Sequence, residues 1–532
     1  MVKIGYYDDT VITKAVYQST NYIFKDYTSE ESTHIEFGTV EGTSLYMKTI
    51  YLKGKGEVVI SNSETTLNKS LSEDSETEVT LILNASDMTL KISPAKNVTY
   101  IKCNATNINK MNLKDFINLN TLICHDNSLS SLEVTYNLKL QYLHCFNNPF
   151  IDNDVELTKT IRSLVNRNDR AFGSAIINSV AGDRTQIDKV ESMAIAKNWM
   201  FGSPLMYTTD SYTASKIEPF LKQSGVLDVW ETAEYGKGRL IGIMDTGFGY
   251  ETGKVSENLE YGEDSVYATK YLPTDKAFAD DYAGYPTGDN LKLPYHGNAT
   301  SSVCCAVGED MYGVCPKAQM YLFRLYDGNN ESYTSYSMNG LKYVLNNNIP
   351  IDVMNLSFTS KTYDSGYANL CKQFVTPTKD ENGNYTYYGI PFVVSAGNDG
   401  DSNPETDEIR YPACYYHPIV VGSINYTNKL SSFTNSYNGI DLVTYGEHIK
   451  TFVTDRTYVY KDGTSFSAPI ITGCVALMKT IFMKKYNRQP TESELYNEII
   501  KRTVPMREYN YKQVGSGRFN FMTYNKKPDY TD

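Results

Sequence analysis

Five short, largely apolar runs, separated by stretches of helical character, occupy the chain from about residue 203 onward. They read RLIGIM, AQMYLF, IDVMNL, IPFVV and HPIVV. A strand that is apolar at successive positions is buried on both faces, and such strands alternating with helices form a parallel sheet covered on both sides. The pattern predicts a doubly wound α/β domain over residues 203–532, with functional groups at the carboxyl ends of its strands.

Length and charge limit what else the chain can be. Its 532 residues exceed what one hydrophobic core usually serves, so two or three domains are expected. A net charge of −12 argues against nucleic-acid binding and against attraction to an anionic membrane surface. No uninterrupted apolar run reaches the length of a transmembrane helix. We therefore expect no nucleic-acid partner and no membrane span.

The N-terminus and the cysteines bear on location. The sequence begins MVKIGYYDDT, without the apolar core of a secretory signal. We therefore expect a cytoplasmic or virion-associated protein, or one exported by a route without a classical signal. Nine cysteines are an odd number, so a full disulfide framework is not expected and most thiols should be buried.

Residues 1–79 predict a small β-rich region. SLYMKTIYLKG and GEVVIS have the composition of short β segments, and the acidic, serine-rich LSEDSETE is typical of a solvated loop. No residue pattern in this region points to chemistry.

A 21-residue repeat follows, marked by Cys103, Cys124 and Cys145. Apolar residues keep its register two positions before and five positions after each cysteine, namely Ile101, Leu122 and Leu143, then Ile108, Leu129 and Phe150. An upstream copy fits loosely, with Leu81, Leu83 and Met88. The segments YIKCNATNI, TLICHDNSL and YLHCFNNPF resemble leucine-rich repeats. The resemblance implies a solenoid over residues 80–202, closed by a helix and strand at 186–201, with a binding face for a protein ligand.

The repeated cysteines have two interpretations. A zinc site would usually bring close cysteine pairs and histidines, which this pattern lacks. One cysteine per turn at a core position behaves as a small hydrophobic residue in an apolar ladder. We favour the second interpretation.

Four polar residues stand in small-residue contexts where predicted strands end or predicted helices begin. Asp245 follows RLIGIM and precedes TGFG, and Asn398 ends VVSAGN. His296 lies in HGNATSS, and Ser465 lies in GTSFSAP, where Pro469 fits the first turn of a helix. Because the carboxyl ends of parallel strands share one edge of the sheet, we expect these side chains to converge there.

These four residue types suit nucleophilic catalysis. A serine hydroxyl is a poor nucleophile until a base removes its proton, and histidine does so near neutral pH. A buried aspartate orients the imidazole, and an amide N–H stabilises an oxyanion. Singly, each residue has a structural explanation: a strand-end turn for Asp245 and Asn398, an ordinary structural role for His296, and a helix N-cap for Ser465. Their joint occurrence in this order favours the chemical interpretation.

Residues from about 225 to 524 resemble the subtilisin-like serine proteases. The segments that carry the resemblance are GRLIGIMDTG, HGNATSSVCCAVG, VMNLSFTS, FVVSAGNDG and GTSFSAPIITGCVALM. The resemblance implies an endopeptidase that acts on polypeptides, with a triad of Asp245, His296 and Ser465 and with Asn398 as the oxyanion donor.

The same resemblance implies where a substrate would bind. An extended polypeptide would lie beside Ser357, Phe358 and Thr359 and pair with them backbone to backbone. The pocket for the residue before the cleaved bond would be floored by Ser395, Ala396 and Gly397.

No cofactor is required for this chemistry, although the family often binds structural calcium on its loops. The segment FADDYAGYPTGDN, residues 278–290, is rich in acids. The number of carboxylates does not define a calcium site, and the metal stays unassigned.

Two other functions remain open from the residues alone. A structural or binding component of a virion or surface assembly would keep a protease-like fold without catalysis, because function belongs to sites and not to folds. A self-processing enzyme would cleave only its own chain or a neighbouring copy.

Overall fold

The computed structural model describes residues 14–17, 20–23, 34–39, 45–208, 215–246, 248, 294–306, 311–325, 332–452 and 458–525. Two large apolar clusters form its core. One draws its side chains from residues 35–201 and the other from residues 172–522.

The C-terminal part is built on an eight-stranded sheet, parallel except for one edge strand. Its strands lie in the order Gln319–Arg324, Leu240–Asp245, Val353–Leu356, Phe392–Ser395, Ile419–Ile424, Leu442–Tyr445, Arg518–Phe519 and Thr503–Val504. The arrangement confirms the predicted parallel α/β sheet. The next two strands along the chain, Gln319–Arg324 and Val353–Leu356, pair with Leu240–Asp245 on opposite sides. The strand order therefore reverses at Leu240–Asp245, and sites in parallel sheets form at such switch points.

Helices cover this sheet and connect its strands. They span Pro219–Gln223, Pro294–Cys305, Thr334–Asn346, Ser365–Val375, Thr464–Tyr486, Glu492–Ile500 and Tyr511–Val514. We call Pro294–Cys305 the histidine helix and Thr464–Tyr486 the serine helix; the two pack against each other. The serine helix is long and apolar enough to cross a bilayer by length and composition, but 94% of its apolar window is buried inside the structure. It therefore serves as a core helix here.

The N-terminal part contains a seven-stranded sheet. In order, its strands are Trp199–Phe201, Gly173–Ile176, Tyr142–His144, Thr121–Ile123, Val98–Lys102, Leu45–Gly54 and Thr77–Asn84. The first five are parallel, and Ile101, Leu122, Leu143 and Ala175 lie side by side in register. Cys103, Cys124 and Cys145 follow three of these strands, and each is at most 1% exposed, in agreement with their expected place in an apolar ladder.

Two expectations about the N-terminal part were wrong. The strand Thr77–Asn84 crosses the predicted boundary at residue 79, and residues on both sides of it share one apolar cluster. Leu81 and Leu83 do not form an upstream repeat, because their strand pairs antiparallel with Leu45–Gly54 at the edge of the sheet. The sequence pattern marks apolar spacing, and it does not report strand direction.

A second sheet, of five antiparallel strands, completes the N-terminal part, and three small hairpins lie elsewhere. The five strands are Ile108–Asn112, His34–Phe37, Thr89–Ser93, Gly56–Ser61 and Thr66–Leu71. The hairpins pair Lys14–Tyr17 with Thr20–Ile23, Thr378–Lys379 with Tyr385–Tyr387, and Ile449–Phe452 with Tyr458–Lys461.

Residues 186–201 form a helix and an edge strand, as the sequence predicts, and these two elements join the two parts. The helix spans Ile187–Ala196, and a second helix, Asp154–Ser163, packs beside it. In the strand Trp199–Phe201, the two outer side chains pack into the N-terminal cluster and Met200 packs into the C-terminal one. The alternation of a β-strand thus ties the two cores together.

Candidate active site

Asp245 ends its strand at the carboxyl edge of the sheet and is fully buried. Its Oδ1 accepts hydrogen bonds from the Thr246 backbone N–H and from His296 Nδ1, both at 2.7 Å. Its Oδ2 accepts a third, from the Thr300 hydroxyl at 2.9 Å. Three donors hold the carboxylate in one orientation and satisfy it as an ion.

His296 lies in the first turn of the histidine helix, and its side chain is 28% exposed. Burial disfavours the charged imidazole, but the charge and hydrogen bond of Asp245 outweigh this effect, so the pKa of His296 is raised above 6.5. The bond to Asp245 occupies Nδ1 and leaves Nε2 as the ring nitrogen available for proton transfer.

Ser465 is the second residue of the serine helix and is 8% exposed. Its hydroxyl donates to the Ser357 carbonyl at 3.3 Å, while the Ser357 hydroxyl donates to the Ser465 carbonyl at 2.8 Å. The pair fixes the start of the serine helix against the end of the strand Val353–Leu356.

Phe358 and Phe466, the residues that follow Ser357 and Ser465, lie against the imidazole of His296. The His296 ring packs edge-on to Phe358, with ring centres 5.6 Å apart, and lies 6.0 Å from the Phe466 ring. The structure therefore brings Asp245, His296 and the Ser465 segment to one edge of the sheet. Within the described residues, the His296 side chain bonds to Asp245 and the Ser465 hydroxyl bonds to Ser357. His296 and Ser465 do not bond to each other there.

Asn398 follows the strand Phe392–Ser395, and its side chain has a fixed orientation. Its Oδ1 accepts from the Thr464 N–H at 2.9 Å and from the Thr464 hydroxyl at 2.8 Å. Because a backbone N–H can only donate, the amide oxygen must face Thr464. The Asn398 Nδ2 group then points away with no partner in the described part of the chain, close to Gly463. Ser465 N–H is also without a partner there, at the electropositive start of the helix.

The predicted substrate-binding residues divide into two groups. Phe358 and Thr359 are half-buried and line a cavity of about 220 Å³. Ser395 and Ala396 are 3% and 0% exposed, so their side chains offer little surface to a ligand. Gly397 has φ +113°, and a Cβ there would lie 2.3 Å from the Asn435 side chain, so this position requires glycine.

Sequence reasoning missed the residues that hold these groups in place. Asn435 is fully buried; it accepts from the Asp399 N–H at 2.7 Å and donates to the Glu408 carbonyl at 2.6 Å, which fixes the loop after Asn398. Thr300 holds Asp245 from one turn along the histidine helix. Thr300 lies in the segment HGNATSS, close to His296 in the sequence. Nothing near Asn435 in the sequence signals its partner Asp399, 36 residues away.

No group of three or more His, Cys, Asp or Glu side chains suited to a metal ion occurs among the described residues. The acid-rich segment 278–290 lies outside them, so the metal stays unassigned.

Comparison with known proteins identifies the family. The subtilase (peptidase S8) model matches residues 236–520, which is more than half of the chain. The chain therefore belongs to the subtilase family and is a serine protease, a hydrolase.

Individual relatives agree with this assignment. The "Major intracellular serine protease" of Bacillus subtilis (strain 168) is 28% identical over 284 residues, 52% of this chain and 80% of its own length. The "Intracellular serine protease" of Paenibacillus polymyxa is 28% identical over 282 residues, 52% of this chain and 77% of its own. Subtilisin E of B. subtilis is 28% identical over 185 residues, 34% of this chain and 45% of its own. Neither the family model nor these relatives support a purely structural role for the chain.

Proposed function

We propose that the chain is an endopeptidase whose triad is Asp245, His296 and Ser465, with Asn398 as the oxyanion donor. The bond between His296 Nδ1 and the buried Asp245 carboxylate, 2.7 Å long, is the observation that carries the proposal. It fixes the tautomer and orientation that a general base needs.

In the proposed reaction, Ser465 Oγ attacks the carbonyl carbon of the peptide bond and its proton passes to His296 Nε2. The negative oxygen that forms accepts hydrogen bonds from Asn398 Nδ2 and from the Ser465 N–H. His296 then gives the proton to the leaving amine, and water attacks the acyl-enzyme by the same route.

The reaction requires one local movement. The Ser465 hydroxyl donates to the Ser357 carbonyl, so it must give up this hydrogen bond and turn its proton towards His296. A hydroxyl rotation is a small barrier, and catalytic hydrogen bonds are commonly loose before substrate binds.

A polypeptide substrate would bind in extended form beside Ser357, Phe358 and Thr359. The cavity beside Phe358 and Thr359 supports a side-chain pocket there. The backbone of Ser395, Ala396 and Gly397 would floor the pocket for the residue before the cleaved bond, since the Ser395 and Ala396 side chains are buried and Gly397 has none.

We further propose that residues 80–202 are a leucine-rich-repeat-like solenoid and serve as a recognition module for a protein ligand. The parallel strands in register and a ladder of asparagines support this. Asn127 donates to the Cys103 and Cys124 carbonyls, and Asn148 repeats the pattern one turn later with Cys124 and Cys145. Each asparagine thus bonds one repeat to the next.

Peptide hydrolysis by two serine variants tests the triad. Ser465→Ala should lower kcat by about 10⁶-fold. Ser467→Ala is the matched control, because Ser467 lies in the same helix but its hydroxyl donates to the Tyr445 carbonyl at 3.2 Å; its kcat should stay within about tenfold. Equal activity of the two variants would refute the assignment.

A further inference from the structure

A second and larger cavity, of about 900 Å³, lies away from Ser465 in the C-terminal part. It opens between the start of the helix Glu492–Ile500 and the segments 411–418 and 437–441. We call it the tyrosine cavity, because its walls include the rings of Tyr411, Tyr415, Tyr437 and Tyr496.

Two carboxylates of this cavity lack a cation. Glu492 is 8% exposed, and the hydroxyl of Ser493 is its side-chain partner at 3.4 Å. Asp441 accepts from the Tyr496 hydroxyl and from the Val420 N–H, both at 2.7 Å. Neither carboxylate forms an ion pair with any Lys, Arg or His in the part of the chain that the structure describes.

The other charged groups on the walls do not compensate them. Asp407 adds a third carboxylate, already paired with Lys512 at 2.9 Å. His417 also lines the cavity, and burial lowers its pKa, so it is neutral at pH 7. Burial raises the pKa of Asp441 to about 6 and that of Glu492 to about 7, with the charge of Asp441 adding to the second shift.

Uncompensated carboxylates surrounded by aromatic faces are the chemistry that recognises organic cations. The volume is far larger than a bare metal ion needs and suits a side chain with its alkyl stem. Tyr411 also lines the smaller cavity beside Phe358 and Thr359, so the tyrosine cavity adjoins the proposed substrate path.

We propose that the tyrosine cavity binds a lysine or arginine side chain of the polypeptide substrate, at a distance from the cleaved bond. The claim that the cation belongs to the substrate rests on the proposed function. The claim that the cavity binds such a cation does not.

Calorimetry on the full-length Ser465→Ala protein tests the cavity alone. Nα-acetyl-lysine methylamide and its arginine analogue should bind at least tenfold more tightly than the neutral norleucine analogue, and lysine binding at pH 6.5 should release protons. Glu492→Gln should weaken lysine binding at least tenfold, whereas Glu381→Gln, at an exposed position, should leave it unchanged. Equal binding of lysine and norleucine, or saturation by calcium or sodium chloride with no lysine binding, would overturn the proposal.

Cleavage assays test the link to the substrate. Peptides with lysine at successive positions on either side of the cleaved bond should show one position where kcat/KM exceeds that of the norleucine peptide about tenfold. That ratio should approach one in Glu492→Gln. Lysine binding without such a position would leave a cation site unrelated to the substrate and refute the substrate claim. Cleavage by Ser465→Ala would instead refute the triad and leave the binding result standing.

Discussion

Asparagines follow parallel strands in both halves of this molecule, but they are used in opposite ways. Asn148 of the repeat region donates to the Cys124 and Cys145 carbonyls and accepts from the Leu129 N–H, so both ends of its amide are occupied. Asn398 of the catalytic sheet uses only its oxygen, on Thr464. The difference teaches what to look for in a catalytic amide: the proposed oxyanion role of Asn398 requires a free N–H group, and Asn148 has none to offer.

Two aspartates at opposite ends of the strand Leu240–Asp245 give a second comparison, and it carries the largest effect among the paired variants. Asp245→Asn should lower kcat by about 10⁴-fold, because the negative charge that stabilises the imidazolium is lost. Asp352 lies at the opposite end of that strand, where it accepts from the Leu240 N–H and pairs with Arg239 and Lys479. Asp352→Asn should lower stability and leave kcat nearly unchanged in peptide hydrolysis. A comparable loss of kcat in Asp245→Asn and Asp352→Asn would contradict different roles for the two aspartates.

The two asparagines form the sharpest matched pair. Asn398→Ala should lower kcat by about 10²–10³-fold, the loss expected for one oxyanion donor. Asn148→Ala should instead cost about 3 kcal/mol of unfolding free energy, since it leaves the Cys145 carbonyl and the Leu129 N–H buried without partners. It also removes one of the two side-chain donors to the Cys124 carbonyl. Steady-state kinetics and urea unfolding on both variants separate the effects. A catalytic defect in folded Asn148→Ala protein would contradict the division.

The pH dependence follows from the pair of Asp245 and His296. His296 must be neutral to accept a proton, and its pKa is raised above 6.5, so kcat/KM should fall as pH drops through a value above 6.5. The charged pair stabilises the fold fully below pH 6.5 and loses this contribution as pH rises through the raised pKa. In Asp245→Asn the acidic limb should move to lower pH. If the fall of kcat/KM at low pH occurs at the same pH in Asp245→Asn as in the wild type, a group other than His296 controls it.

The smallest effect concerns the joint between the halves. Lys484 of the serine helix pairs with Glu191 of the N-terminal part at 3.0 Å and with Glu234 at 2.8 Å, and it is 20% exposed. Lys484→Ala should lower the unfolding free energy by only about 1 kcal/mol, because partly exposed ion pairs contribute little. Calorimetric unfolding should keep a single transition. Two separate transitions in the variant would show that this ion pair holds the halves together.

The sequence was sufficient where the determining signal is local. Asp245, Asn398 and Ser465 each stand at a strand or helix end that apolar runs and small residues announce, so their place at one edge of the sheet could be predicted. The spacing of Cys103, Cys124 and Cys145 likewise predicted a buried ladder. In each case neighbours in the sequence set the position of the residue in the fold, although the partners of Asp245 and Asn398 lie far away along the chain.

The sequence was insufficient where the partner is distant. Asn435 acts on the loop after Asn398 from 36 residues away, and Arg410 pairs with Asp399 in the same loop. The true extent of the N-terminal unit was also hidden, because antiparallel pairing of Thr77–Asn84 with Leu45–Gly54 depends on chain direction. Such contacts are decided by tertiary packing and leave no periodic signal.

Labelling with a fluorophosphonate probe tests the central claim most directly. We expect one phosphonyl group per chain in folded protein at pH 8, located by mass spectrometry on Ser465. The same probe should leave Ser465→Ala unlabelled and should react far more slowly with Asp245→Asn. Labelling of another serine, or none in the folded wild-type protein, would contradict a hydroxyl activated by His296 and Asp245.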